Sequence, residues 1–152
     1  MKRFLIAGLS LLALVLVIAG CTLSYSDTTL TGTIGGTAFT FVDGYIDADG
    51  SAELFAVDQD FTDAFSYDWY AVPSILLTWD PIEVGEKKLQ LKLLDLANTY
   101  TITGWDGTTN YIYAEGNIEI TSVTATAVEG RMHIKRDTDD LDGTFTLERV
   151  AW

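Results

Sequence analysis

Four groups of residues in this 152-residue chain could carry chemistry. The first is His133, the one histidine, set beside Lys135 in "GRMHIKR". A histidine base needs a nucleophile and an orienting acid that meet it in space. The chain has no Gly-x-Ser-x-Gly elbow, no glycine-rich phosphate loop with a lysine and no zinc-type histidine spacing. In an alternating stretch, His133 reads as a surface or packed side chain. No enzymatic activity, catalytic residue, cofactor or metal ligand set is therefore expected.

The second group is acidic. "YIDADGSAE", 45–53, and "DTDDLDG", 137–143, carry the carboxylates and turn glycine that a calcium loop uses. In such a loop glycine is sixth and a glutamate closes at the twelfth position. With Gly50 as that glycine, Asp47 and Asp49 fall on ligand positions, but Tyr45 comes first and Ala56 last. With Gly143, Asp140 and Asp142 fit, while Thr138 and Arg149 hold the ends. Asp and Gly are also ordinary turn residues. Both stretches read as solvated turns, with calcium kept only as a minor partner.

The third group is "DFTDAFSYDWYAV", 60–72, where Phe61, Phe65, Tyr67, Trp69 and Tyr70 are interleaved with Asp60, Asp63 and Asp68. Aromatic faces stack on sugars or partner surfaces and carboxylates accept hydroxyl hydrogen bonds. The same pattern suits a loop whose aromatics enter the core while its acids stay wet. The ligand-binding residues are left unassigned between the two. The fourth group is Cys21 alone, behind the apolar run of "LVLVIAGCTLS". One cysteine excludes an internal disulfide.

The elements that must position these residues are strands. Apolar positions recur with period two between Gly and Asp turns. Leu30 to Ile34 turns at Gly35-Gly36 and returns through Phe39 and Phe41, a hairpin signal. Asp43-Gly44 and Asp49-Gly50 mark bends, and "SAELFAV" and "SILLTWD" are strand candidates. Pro73 and Pro81 bracket the Trp79 strand. Tyr100 and Ile102 turn at Asp106-Gly107 into Tyr111 and Tyr113. Ile118 and Ile120, Met132 and Ile134, Phe145 and Leu147 complete the series. "EKKLQLKLLDLAN", 86–98, has the leucines and lysines for a short helix as an alternative. The expected fold is all-β: an antiparallel β-sandwich or small β-barrel of about eight to ten short strands. A transmembrane barrel ending at Trp152 fits poorly, since Glu148 and Thr146 would face lipid.

Residues 1–20 have the three parts of a secretory signal peptide: Lys2 and Arg3, the uncharged run Phe4 to Ala19, and small residues at the end. The run is short for a spanning helix. "IAGC", Ile18 to Cys21, resembles the bacterial lipoprotein lipobox, with Ile18 where members usually carry Leu. The resemblance implies cleavage before Cys21, acylation of its thiol (palmitate among the acyl groups) and a membrane partner through that anchor. Thr22, where retained lipoproteins carry Asp, implies the outer membrane, facing periplasm or surface. Residues 22–29 then form a short tether and 30–152 a single β domain. "GNIEITSVTATAVEGRMHIKRDTDDLDGTFTLERV", 116–150, resembles the closing strands of small β-rich bacterial lipoproteins of uncharacterised function, although Gly130-Arg131-Met132 departs from their usual Gly-Thr-Phe. "LTGTIGGTAFTF" is similar to their opening hairpin. That likeness implies a sandwich and no activity.

Charge narrows the partners further. Beyond the leader, seven basic residues face 22 acidic ones, a net charge of −15. Twelve of the acids precede Lys87, and no base does after Cys21. Such a body repels nucleic acid and anionic headgroups. The expected function is a lipid-anchored envelope protein with a non-catalytic interaction or scaffold role, meeting another envelope protein. The alternative is a small-ligand binder for carbohydrate, lipid or calcium.

Overall fold

The computed structural model describes residues 24–61 and 72–152. They form eleven strands: β1 (Thr31–Ile34), β2 (Thr37–Thr40), β3 (Asp43–Ile46), β4 (Ser51–Phe55), β5 (Ser74–Thr78), β6 (Gly85–Lys88), β7 (Ile102–Trp105), β8 (Asn110–Tyr113), β9 (Glu115–Val123), β10 (Ala127–Arg136) and β11 (Asp139–Arg149). Among the described residues there is no α-helix, and Leu96–Asn98 makes one 3-10 turn. The fold is all-β, a single curled sheet of half-barrel form, in keeping with the expected sandwich or small barrel.

The strand order is β6-β9-β10-β11-β3-β4-β5-β7-β8, with β1 beside β11 and β2 beside β1. All pairings within this sheet are antiparallel except β11 with β3. β1 occupies the first half of β11's edge, with Thr31 opposite Asp142, and β3 takes the far end, with Tyr45 opposite Glu148.

Two segments differ from the sequence reading. Asp43-Gly44 is not a bend but the start of β3, where Gly44 is needed because a Cβ would stand 2.6 Å from the Glu53 carbonyl oxygen. The stretch 86–98 is not a helix. It opens in β6, continues past the buried Leu89 to an isolated bridge between Gln90 and Tyr100, and then leaves the sheet with Leu91 and Leu93 exposed. These two strands lift the count to eleven.

Alternate residues of β9, β10 and β11 point inward, and Ile118, Ile120, Val128, Met132, Ile134, Leu141 and Leu147 are all buried. Trp79 fills the core below them, its indole N–H donating to the Glu83 carbonyl at 3.0 Å. The curl closes where β8 returns to the β1–β2 turn. The Tyr113 hydroxyl donates to Asp139 Oδ2 at 3.0 Å, and Gly104 leaves room for Ile34.

Candidate functional site

The outer face of β3, β4, β5 and β7 carries an unusual row. Tyr45, Glu53, Leu76 and Thr103 lie opposite one another across four strands. Opposite residues share a face, so Glu53 points away from the main core. It is nevertheless only 4% exposed. Its Oε1 accepts a 2.7 Å bond from the Ser74 hydroxyl. Burial pushes the Glu53 carboxyl above its ordinary pKa, and the Ser74 bond opposes that rise. Trp105 stands opposite Ser74, and its buried indole N–H has no acceptor among the described residues. A cavity of about 260 Å³ adjoins Glu53, walled by Ser51, Leu76, Thr78, Thr101 and Thr103. A buried carboxyl beside a hydroxyl-lined hollow can recognise hydroxyl or amine groups.

Phe61 closes one side of this face. It packs on Tyr45 at 5.3 Å and Phe55 at 5.9 Å, and its carbonyl accepts the Trp152 indole N–H at 3.0 Å. Phe61 therefore belongs to a small second core with Tyr45 and Phe55. Phe65, Tyr67, Trp69 and Tyr70 lie outside the described residues, as do Cys21 and the leader.

The acidic groups do not converge. Asp47 Oδ1 accepts the backbone N–H groups of Asp49 and Ser51, closing its own turn. Asp142 accepts the Ser26 N–H, and Asp140 pairs with His133 and Lys135. No three His, Cys, Asp or Glu side chains among the described residues are grouped to hold a metal ion. Asp139 is buried and fully partnered: the N–H groups of Gly35 and Gly36 and the hydroxyls of Thr33 and Tyr113 all donate to it within 3.0 Å. Burial raises its pKa, those four donors outweigh burial, and the net shift is downward.

His133 acts as a clamp. Its Nδ1 lies 2.9 Å from the Ser24 carbonyl oxygen and its Nε2 3.0 Å from Asp140 Oδ1. The neighbouring Tyr25 ring lies under the Arg131 guanidinium at 4.5 Å, and its hydroxyl donates to Glu86 at 2.6 Å. Burial, and then the Glu86 bond, raise the Tyr25 pKa. Thr28 and Leu30 exchange backbone bonds with Thr144. Ser24 to Leu30 are thus strapped across β10 and β11.

Sequence reasoning missed Glu53 and the strap. A glutamate alternating with Ser51 in "SAELF" reads as a wet residue, and only the cross-strand placement of Tyr45 and Leu76 on either side of it goes with its burial. The strap has no apolar period to betray it, being built from hydroxyls, one aromatic and backbone. Comparison with protein-family models, curated proteins and solved structures gives no match.

Proposed function

We propose that this chain is an exported protein, anchored by acylated Cys21 at the outer membrane, whose β domain has a non-catalytic interaction role in the cell envelope. The observation that carries the reading is the order of residues 1–21: a basic start, an uncharged apolar run, two small residues and the chain's one cysteine. Each buried acyl CH₂ contributes about 0.8 kcal/mol, and two or more chains hold a protein stably on a bilayer. The clamp at Ser24 supports the same reading. Only Thr22 and Leu23 separate Cys21 from it, so an anchored body would stand against its membrane. The non-catalytic role is supported by His133, both of whose ring nitrogens already face acceptors of this chain.

The test is the mass of the amino-terminal peptide together with membrane fractionation. The wild-type peptide is expected to begin at Cys21 and carry acyl chains, and Cys21→Ser is expected to lose both. An unmodified cysteine on a protein that still partitions with membranes would overturn the proposal.

A further inference from the structure

Leu91, Leu93 and Leu94 follow β6 in a loop that leaves them open to water. Leu91 is 52% exposed, Leu93 78% and Leu94 fully exposed, in a domain whose other leucines supply much of the core. Exposed apolar residues in one cluster mark a contact surface. The loop is not slack. Lys92 N–H donates to Thr99 Oγ1, and both the backbone and side-chain amides of Asn98 donate to Asp95. Its backbone is held while its leucines point out.

Two further observations say what meets them. In a chain with no base between Cys21 and Lys87, the loop carries basic residues: Lys88 and Lys92 are exposed there with Asp95, and Glu86 and Glu115 are exposed on the flanking strands. It also lies beside the point where the strap comes off the sheet. Lys88, Asn117 and His133 stand opposite one another across β6, β9 and β10. Two strand spacings, about 10 Å, therefore separate the Ser24 clamp from the start of the loop. From Ser26 on Asp142 to Ser24 on His133, the chain runs in that direction. Cys21 is three residues further, a reach of about 10 Å.

We infer that the Leu91–Leu94 loop is a second membrane contact, a wedge that enters the bilayer interface beside the acylated terminus and fixes the orientation of the domain. This rests on the lipid-anchor reading above. Leucines at this depth bury apolar surface, while Lys88 and Lys92 reach headgroup phosphates.

The experiment places a polarity-sensitive maleimide dye at Leu94→Cys, and for comparison at Ala125→Cys, which is exposed at the opposite end of β9. The full chain, processed in its own membrane, is reconstituted into phosphatidylethanolamine–phosphatidylglycerol vesicles containing brominated lipid. The dye at 94 is expected to shift blue and to lose at least half its emission to bromine, and the dye at 125 to do neither. Equal, water-like emission from both sites would overturn the wedge. A blue shift at 94 without bromine quenching would also overturn it, by placing a protein partner on the loop. Labelling the unsubstituted chain after denaturation keeps the anchor separate: uptake of dye there means Cys21 is a free thiol, whatever residue 94 reports.

Discussion

Two buried carboxylates of this chain titrate in opposite directions because one is surrounded by donors and the other is not. Asp139 accepts four hydrogen bonds and its pKa is lowered; Glu53 accepts one from Ser74 and burial raises it. A carboxylate held low contributes stability that is present above its unfolded pKa of about 4 and lost as pH falls through its folded value. For a carboxyl held high the sign reverses. The native state binds more protons than the unfolded chain, so the contribution is present below about pH 4.3 and lost as pH rises through the folded pKa. Glu53→Gln keeps an acceptor for Ser74 and removes the charge. Urea unfolding at pH 4 and pH 8 should show this variant gaining on the wild type at pH 8 and equal to it or weaker at pH 4. The same difference at both values would mean that Glu53 ionises in the fold at no cost.

Turns and strands show which parts of the structure were legible in the sequence. The Gly35-Gly36 hairpin was, because both glycines have positive φ, +58° and +81°, which the two-residue turn demands. The long strands β9, β10 and β11 were legible because their inward positions alternate over most of their length, β9 losing the pattern only after Ile120, where its pairing with β10 shifts register. β6 and its loop were not, because the five leucines and three lysines of 86–98 suit a helical stripe as well as alternation. Only the bridge from Gln90 to Tyr100 decides. The parallel junction of β11 with β3 was not legible either, since pairing between distant segments leaves no local trace. At the candidate site, residue types were visible and their burial was not. The hairpin yields a prediction of its own. A Cβ at Gly35 would lie 2.2–2.4 Å from the Tyr111 ring, whereas one at Gly36 meets nothing within 4 Å. Gly36→Ala should cost about 1–2 kcal/mol for the left-handed backbone alone. Gly35→Ala should cost distinctly more in the same denaturant titration, and parity of the two would show that Tyr111 yields freely.

The described residues form one sheet with edges at β6, β8 and β2, and its integrity depends on how the β7–β8 end is tied back. β9, β10 and β11 form long antiparallel ladders with a continuous apolar face, and need no such tie. β7 and β8 have four residues each; β8 pairs only with β7 among the described residues. β7 is laddered to β5 over three residue pairs, and the far side of the hairpin is held at Asp139, where the Tyr113 hydroxyl meets the carboxylate that also gathers Thr33, Gly35 and Gly36. One charged acceptor therefore joins β1, β8 and β11. Tyr113→Phe deletes a single oxygen, leaves the ring in the core, and should cost about 1.5–3 kcal/mol, the usual worth of a hydrogen bond to a charged group. The loss should also be local. Amide exchange is expected to quicken in Ile102–Trp105 and Asn110–Tyr113 while the β9–β11 amides keep their protection, as happens when one cooperative unit opens below the global free energy. Uniform acceleration through β10 and β11 would instead show that the curl unfolds as one piece, with the Asp139 knot stabilising every strand alike.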